Sequence, residues 1–322
     1  MIRIAVTGSS GFVGQAIIRQ LEQDPEVEQI VAVDVAPTVD SSKVAWIKAD
    51  VRDATLGAQL KAARVNALMH LAFIIEARGN PERMFDVNVN GTANVLKAAA
   101  EAGVDRFLMM SSLAIYGAWP DNPQLLTEEM MPRPNPEDPY GQHKLKAEWM
   151  CHSFAVEHPE VAMAIMRPCG IMGPKISAHY ITTMMRAPFL PLPRRGRGSA
   201  QFIHVEDVAR LAMILVKKRA RGIYNAAEAS TLPWRAIYEK LGRPIISLPR
   251  WLLDNLLAFL WRLKLLPIIP VQMAMVSYPA VLSGERAQRV FGFVAHYNIQ
   301  TTLQQTIDSL RQAFPPLRRR RK

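Results

Sequence analysis

A chain of 322 residues with 49% apolar side chains can bury the core of one large α/β domain, or of one domain with a smaller appended unit, and we expect an ordered chain. The two cysteines, Cys151 and Cys169, match no disulfide or metal spacing, which favours a reduced, cytoplasmic setting without a bound metal. The net charge of +11 includes five positive charges in the basic tail, residues 318–322. Because no aromatic residues surround this tail, we expect no nucleic-acid partner, and contact with a membrane surface is the alternative to a solvated end.

The first half of the chain alternates short β-rich apolar runs with helical stretches, and no charged leader precedes the first strand, so we expect no signal peptide. Strands are predicted at 2–8, 29–35, 44–51, 67–73, 106–112 and 161–168, and helices at 13–23, 56–63, 81–103 and 136–158. A strand and a helix follow within 201–218, and a last strand at 222–228. This alternation predicts an α/β fold of the Rossmann type, with a doubly wound parallel sheet.

The pattern changes after Pro168, where proline and glycine become frequent, and the last third of the chain is helical and apolar. We therefore predict a smaller, mostly helical substrate domain over the carboxyl edge of the sheet. The predicted boundaries are 1–168 and 200–226 for the dinucleotide-binding Rossmann domain, 169–199 and 227–317 for the substrate domain, and 318–322 for the tail.

The segment TGSSGFVG, residues 7–14, connects the first strand to the first helix. Its glycines Gly8, Gly11 and Gly14 allow a tight turn, let the backbone approach a pyrophosphate and aim a helix N-terminus at the anion. Asp34 ends the second strand, where a carboxylate accepts the ribose hydroxyls of NAD and repels the additional phosphate of NADP. Because no arginine follows within 35–43, we predict NAD as the cofactor in preference to NADP.

Three motifs occur in a characteristic order: TGxxGxxG, then SSLAIYG at 111–117, then Y-x-x-x-K at 140–144. This order resembles the extended short-chain dehydrogenase/reductase family, also called the NAD-dependent epimerase/dehydratase family, over about residues 1–228. The resemblance implies Asp50 at the adenine, Asn88 as a structural support of the site, and a homodimer formed through helices 81–102 and 137–157. It implies cofactor contacts from Gly8, Ser10, Gly11, Phe12, Val13, Gly14, Asp34, Asp50, Val51, Leu71, Ala72, Tyr140, Lys144, Pro168, Gly170 and Ile171.

The resemblance makes Ser112, Tyr140 and Lys144 the catalytic residues. Tyr140 and Lys144 stand four residues apart on a predicted helix and therefore share one face. An ammonium about 4 Å from a phenolate is worth roughly 4 kcal/mol at an effective dielectric constant near 20, so we expect Lys144 to lower the pKa of Tyr140 toward neutrality. Tyr140 would then act as general acid and base, with Ser112 holding the substrate oxygen.

The residues after the serine narrow the reaction within this family. Its dehydratases carry an Asp-Glu pair where this chain has Leu113 and Ala114, and its reductive epimerases carry a cysteine at the position of Ala114. We therefore predict reversible hydride transfer at a secondary alcohol or ketone, with or without rotation of a bound keto intermediate. A redox-sensing module without chemistry is disfavoured, because it has no need of the catalytic residues.

The substrate is left open between two classes. Family members that act on nucleotide sugars commonly carry an asparagine where this chain has Gly170, and an arginine near Ala200 and Gln201, although Arg194, Arg195 and Arg197 lie close by. The apolar segment 251–270 is a core helix, a membrane-surface face, or a lid over an apolar, hydroxysteroid-like small molecule. The leading prediction is an oxidoreductase, and the alternative is a nucleotide-sugar 4-epimerase, similar to UDP-glucose 4-epimerase, with tightly bound NAD.

Overall fold

The computed structural model describes residues 1–38, 41–75, 79–176, 184, 187, 189–194, 196–262 and 270–313. Within these residues the strands are β1 (Ile2–Thr7), β2 (Val27–Asp34), β3 (Val44–Lys48), β4 (Ala67–His70), β5 (Arg106–Met110), β6 (Ala162–Pro168), β7 (Gly170–Met172), β8 (Leu190–Pro193), β9 (Ser199–Ala200), β10 (Phe202–His204), β11 (Gly222–Ala226), β12 (Leu232–Pro233) and β13 (Ile245–Leu248). The α-helices are α1 (Phe12–Gln23), α2 (Leu56–Ala62), α3 (Pro81–Phe85), α4 (Gly91–Ala102), α5 (Pro139–Glu157), α6 (Val205–Lys217), α7 (Trp234–Leu241), α8 (Arg250–Arg262), α9 (Pro270–Ser277), α10 (Glu285–Phe291) and α11 (Ile299–Ala313).

A parallel sheet with the strand order β11-β6-β5-β4-β1-β2-β3 forms the centre of the described chain. The order reverses at β1, whose neighbours are β2 and β4, so the carboxyl ends of β1 and β4 border the crevice in which such sheets bind ligands. Thr7 at the end of β1 pairs with His70 at the end of β4. The predicted α/β fold of the Rossmann type, with a doubly wound parallel sheet, is confirmed.

Helices cover both faces of the sheet because neighbouring residues of each strand point to opposite sides. On β1, Ile4 and Val6 contribute to one core, together with residues of α1 and α6, whereas Ala5 contributes to the other, with residues of α2, α4 and α5. The cores on both faces hold the strands in place and leave the carboxyl edge of the sheet for loops. The functional residues considered below lie on those loops or on the helices that follow them.

Several strands end earlier than the sequence predicts. The strands predicted to end at residues 51, 73 and 112 end at Lys48, His70 and Met110. After His70 the apolar run continues through residues 71–73, so hydrophobicity alone extends the prediction into the following loop. After Lys48 and Met110 the prediction extends through polar residues that lie outside the strands. These extra residues include Leu71, Ala72 and Ser112, which therefore belong to the loops at the carboxyl edge.

The long helix predicted at 81–103 is interrupted. A π-helical turn, Asp86–Asn90, separates α3 from α4 and includes the buried Asn88. Such turns occur mostly as single insertions and frequently at functional sites. The predicted helix ends are present: Pro81 lies in the first turn, and Gly103 takes the left-handed conformation of a C-terminal cap.

A third apolar core is formed by residues of 172–202 and 234–310, among them Leu190, Phe202, Trp234 and Ile307. Short strand pairs join these parts, since β13 pairs with β8 and β12 with β9. This grouping follows the predicted substrate domain, although the exact domain boundaries stay predictions. The described side chains of α8 include the buried Leu253 and the largely exposed Trp251 and Phe259. Residues 263–269 of the apolar segment and the tail at 318–322 lie outside the described residues.

In the part of the chain that the structure describes, each helix is too short or too polar to span a bilayer.

The two cysteines, Cys151 and Cys169, are both buried as free thiols. The helices predicted to form a homodimer, α3, α4 and α5, expose apolar side chains of Phe85, Trp149 and Val156. The homodimer itself stays a prediction.

Candidate active site

The glycine loop between β1 and α1 leaves no room for side chains at two positions. Gly8 takes a left-handed conformation with φ of 73°, and a Cβ there would lie 2.7 Å from the backbone nitrogen of Ala72. A Cβ at Gly14 would lie 2.2 Å from the carbonyl oxygen of Gly8. Only glycine fits at either position, as the sequence predicts for a loop that packs its backbone against neighbouring backbone.

The loop also offers groups that a phosphate could use. Gly11 is the N-cap of α1 and provides no side-chain cap for the amides of the first turn. The hydroxyl of Ser9 is buried and has no hydrogen-bond partner among the described residues. Free amides at a helix N-terminus favour an anion. The loop therefore fits the pyrophosphate of a dinucleotide, with Ser10, Phe12 and Val13 beside it.

Asp34 stands at the end of β2, where the sequence places it. Its Oδ2 accepts a hydrogen bond from the backbone amide of Ser10 at 3.0 Å, and its Oδ1 accepts one from the amide of Ala36 at 3.1 Å. These bonds fix the carboxylate next to the glycine loop. A carboxylate in this place fits the hydroxyls of an adenosine ribose.

A buried chain of hydrogen bonds links the ends of β1 and β4 to the π-helical turn. The hydroxyl of Thr7 lies 2.7 Å from Nδ1 of His70, and Nε2 of His70 lies 3.0 Å from the hydroxyl of Thr92. Thr92 donates to the carbonyl of Asn88 at 2.6 Å, and Thr7 accepts from the amide of Leu71 at 3.2 Å. Burial lowers the pKa of His70 to about 3, so its imidazole is neutral.

The side-chain amide of Asn88 holds the loop that follows β4. Its Oδ1 accepts from the amide of Ile74 at 2.7 Å, and its Nδ2 donates to the carbonyl of Ile74 at 2.9 Å. The same Nδ2 lies 3.4 Å from Nδ1 of His143 on α5. These contacts attach the loop after β4 to the helix that carries Tyr140. The role of Asn88 as a support for catalysis stays a prediction.

Ser112, Tyr140 and Lys144 come together at the end of β5. The side chain of Ser112 lies beside Tyr140 and opposes the rise of the Tyr140 pKa, and both residues are partly exposed. Lys144 is buried behind them, with its Nζ 2.5 Å from the carbonyl oxygen of Met110 and 5.7 Å from the ring centre of Tyr140. Solvent therefore reaches part of Ser112 and of Tyr140, whereas Lys144 is shielded from water.

Phe73 connects the glycine loop to this group, and its contacts with Tyr140 and Lys144 were not predicted from the sequence. Its ring packs edge-on against Tyr140 with 5.7 Å between ring centres, and the Nζ of Lys144 lies 3.6 Å from the centre of the Phe73 ring. Phe73 directly follows Ala72, which touches Gly8. A cation over an aromatic face is stabilised by the ring quadrupole.

The pKa values of the pair run opposite to the expectation from the sequence. Burial raises the pKa of Tyr140 to about 12, although the hydrogen bond from Ser112 opposes this. Burial also lowers the pKa of Lys144 to about 7. The expected fall of the Tyr140 pKa toward neutrality is therefore wrong for the protein alone, because the loss of water around each group has the largest effect on its pKa.

Asp50 and Val51 follow β3, and the carboxylate of Asp50 already has a partner. Both carboxylate oxygens of Asp50 accept hydrogen bonds from the guanidinium of Arg52, at 2.7 and 2.8 Å. Arg52 holds the pKa of Asp50 below its usual range. Val51 is buried, and a Cβ at Gly91 would lie 2.6 Å from it. The predicted adenine contact of Asp50 stays a prediction, and it would require sharing this carboxylate with Arg52.

The segment after β6 explains two departures from the family pattern. Gly170 pairs with Phe202 across β7 and β10, and a Cβ at Gly170 would lie 2.7 Å from the Phe202 ring. An asparagine could not replace this glycine without moving Phe202. Gln201 is buried and bonds to the backbone of Glu228 and Leu282 at 2.8 to 2.9 Å. Gln201 therefore holds the backbone at Glu228 and at Leu282 together. An arginine at this position would place a positive charge there instead.

Pro168 ends β6, and Ile171 lies next to Gly170 on β7 with partial exposure. The cofactor contacts predicted for these three residues stay predictions. Within the described residues, no cluster of histidine, cysteine, aspartate and glutamate is arranged to hold a metal ion.

Comparison with known proteins agrees with this geometry. A sequence model of the NAD dependent epimerase/dehydratase family matches residues 4–227. The chain belongs to this family. The prediction of an enzyme that uses NAD is thereby confirmed at the level of the family.

The individual relatives and solved structures are similar to this chain at low sequence identity. An uncharacterised protein of Mycobacterium tuberculosis is 23% identical over 264 residues, which cover 79% of this chain and 70% of the relative. A UDP-glucose 4-epimerase of Yersinia pestis is 30% identical over 243 residues, which cover 64% of this chain and 70% of the relative. Among solved structures, MoeE5 in complex with UDP-glucuronic acid and NAD is 23% identical, with a TM-score of 0.75 and coverage of 97% of this chain and 99% of that one. At this identity the solved structure establishes the fold alone.

Proposed function

We propose that this protein is an NAD-dependent oxidoreductase that transfers a hydride reversibly at a secondary alcohol or ketone carbon. The observation that carries the proposal is the placement of Ser112 beside Tyr140, both partly exposed, with Lys144 buried behind them. The pair lies at the carboxyl edge of the sheet, and Phe73 connects it to the glycine loop. Bound NAD would accept the hydride from the alcohol, or, in its reduced form, return it to the ketone.

The residues of the chain supply binding and proton transfer. The glycine loop and α1 hold the pyrophosphate, and Asp34 holds the adenosine ribose. Ser112 hydrogen-bonds the substrate oxygen next to the Tyr140 hydroxyl. With a pKa of about 12 in the protein alone, Tyr140 is protonated and suited to donate a proton to the ketone oxygen. That donation leaves a Tyr140 phenolate, which the Lys144 ammonium stabilises. In the oxidation direction, this phenolate takes the proton of the alcohol and becomes the phenol again.

A nucleotide-sugar 4-epimerase is the second candidate, and two observations favour it. The UDP-glucose 4-epimerase relative is 30% identical over 243 residues, and the nucleotide-sugar complex of MoeE5 shares this fold. A cavity of about 400 Å³ lies between β8, α8 and α9 and is lined by Arg194, Gly196 and Arg250, together with Ser277 and Tyr278. Guanidinium groups suit a diphosphate. Among the described residues of α8, only Arg250 lines this cavity, so the apolar lid predicted for 251–270 has no support from it.

Net turnover of NAD separates the two candidates. An oxidoreductase should accumulate reduced NAD when a secondary alcohol is supplied, whereas an epimerase should interconvert UDP-glucose and UDP-galactose without net reduction. Thermal melts with UDP and with a hydroxysteroid identify the class of ligand, since a ligand that binds the folded state raises the melting temperature. If UDP stabilises the protein and no alcohol in the panel reduces NAD, the epimerase replaces the oxidoreductase as the proposed function.

We expect Asp34 to determine the preference for NAD. Replacing Asp34 by alanine and Val35 by arginine removes a carboxylate that repels a phosphate and adds a cation that attracts one. Charged hydrogen bonds of this kind contribute about 1.5–3 kcal/mol, so the ratio of NAD to NADP affinity should fall about 10- to 100-fold. Fluorescence titration with both reduced cofactors measures the ratio, with Val35→Arg alone as the control. A wild-type protein that binds NADP more tightly than NAD would contradict the assignment.

A further inference from the structure

A buried ion pair lies directly behind Lys144. The guanidinium of Arg167 on β6 contacts both carboxylate oxygens of Glu148 on α5, at 2.5 and 3.0 Å. The two side chains are 2% and 1% exposed. Arg167 also donates to the hydroxyl of Tyr116 at 2.8 Å, which in turn donates to Asn225 at 3.0 Å. Every charge in this interior group is therefore matched, as a buried ion pair requires.

Glu148 reaches the same strand end that Lys144 holds. The two residues are four apart on α5 and so lie on one face. Lys144 donates to the carbonyl of Met110, and the hydroxyl of Ser111 makes a short hydrogen bond to Oε1 of Glu148. The next residue is Ser112, so the end of β5 is fixed on two consecutive residues immediately before the serine that faces the substrate.

The charge of Glu148 also acts on Lys144. Burial lowers the pKa of Lys144 to about 7, and Glu148, also on α5, opposes this fall. Burial raises the pKa of the nearby Cys151 thiol, so Cys151 carries no charge in the neutral pH range. The other groups near the ammonium are Tyr140, which is protonated, and His70, which is neutral. Arg167 lies behind Glu148 and is held by it. Among these groups the carboxylate of Glu148 opposes the effect of burial most.

We propose that Glu148 is a positioning residue of the hydride-transfer site, which maintains the Lys144 ammonium and, through Ser111, fixes the strand end that carries Ser112. The inference rests on the proposed function, because in that function the positive charge of Lys144 stabilises the Tyr140 phenolate. If the ion pair only joined α5 to β6 and did not act on Lys144, removing the charge of Glu148 would leave the titration of Lys144 unchanged.

The test measures the titration of Lys144 without using activity. Melting temperatures are recorded across the neutral pH range for four proteins. These are the wild type, Lys144→Met, Glu148→Gln, and the double variant that carries both substitutions. A buried lysine whose pKa is lowered destabilises the folded state fully below its folded-state pKa, and this penalty decreases as the pH rises above that value. With Glu148 intact, the difference between the lysine and methionine forms should begin to shrink near pH 7.

In the Glu148→Gln background we expect this onset about one pH unit or more lower, because the nearby anion is lost. Glu148→Gln leaves a buried guanidinium unpaired, so a second background, Glu148→Gln with Arg167→Met, removes both charges and should move the onset in the same direction. Asp207→Asn is the matched control. Asp207 is also 1% exposed and bonds to Arg210 and to backbone amides on the other face of the sheet, so the onset should stay at the wild-type pH.

An onset at the same pH in all backgrounds would overturn the proposal and leave the pair as a tie between α5 and β6. The result is separable from the proposed function. The onset could move as expected while Tyr140→Phe keeps its activity. In that case Glu148 does set the charge of Lys144, and the proposed role of Tyr140 in hydride transfer is wrong.

Discussion

Tyr140→Phe should bind NAD with nearly unchanged affinity and lose about 100- to 10,000-fold in turnover, the range that general acid–base catalysis contributes. The variant keeps the ring that packs against Phe73 but loses the hydroxyl that pairs with Ser112. The fold should therefore be preserved, and the loss should appear in kcat. Initial rates of NAD reduction, with the alcohol that gives turnover, or of UDP-sugar interconversion measure the effect.

Tyr224→Phe is the matched control for this substitution. The hydroxyl of Tyr224 donates to the carbonyl of Arg221 at 3.0 Å, in the sheet but at the far edge strand β11. Its removal should cost about 1 kcal/mol of stability and leave turnover unchanged. A Tyr140→Phe variant that retains most of the wild-type turnover would show that another group transfers the proton.

Gly8→Ala should weaken NAD binding about 10- to 100-fold. The added methyl group would lie 2.7 Å from the backbone nitrogen of Ala72, and backbone cannot move as a side chain does. Overpacking of this kind costs about 1–3 kcal/mol, to which the left-handed conformation adds about 1–2 kcal/mol. The displaced loop would no longer present its amides to the pyrophosphate. Fluorescence titration with reduced NAD measures the affinity.

Gly292→Ala separates the two costs. Gly292 has a φ of 66°, close to the 73° of Gly8, but a Cβ there meets no atom within 4 Å. This variant should lose about 1–2 kcal/mol of stability from backbone strain and bind NAD as the wild type does. Equal losses of NAD affinity in both variants would mean that the glycine loop is not the phosphate site.

The sequence predicts the sheet, the order of the elements and the glycine loop because these depend on local signals. Apolar runs with strand or helix periodicity define the elements, and Gly8 and Gly14 mark positions where the structure leaves no room for a Cβ. The spacing of Tyr140 and Lys144 likewise predicts that they share a helix face. The boundaries are less accurate, because hydrophobicity does not reveal where pairing with the next strand stops.

The surroundings of the catalytic residues depend on contacts between distant segments, which one sequence does not reveal. Phe73 reaches Tyr140 and Lys144 from the loop after β4, and Thr7 meets His70 only because β1 and β4 are neighbours. One available signal was not used: Glu148 follows Lys144 at the spacing of one helical turn, which predicts a carboxylate beside the ammonium.

The direction of the Tyr140 pKa could not be predicted because it depends on burial rather than on spacing. The estimate from the sequence counted the attraction of an ammonium and a phenolate in a partly aqueous medium. The structure buries Lys144 almost completely, so removing water from the charged forms raises the Tyr140 pKa and lowers the Lys144 pKa. The class of substrate could not be predicted from the sequence either. The side chains that line the cavity at Arg250 come from three separate segments, and one sequence does not reveal that they meet.

The most direct test of the proposed hydride transfer follows the absorbance of reduced nicotinamide in a single turnover, with enzyme and NAD in equal amounts and a secondary alcohol or UDP-glucose added rapidly. The account predicts that reduced nicotinamide forms in the wild type, either accumulating or decaying as the epimerised sugar appears. It also predicts that Tyr140→Phe forms it at least about 100-fold more slowly. Product formation with no change in this absorbance at any time would contradict hydride transfer as the function of this site.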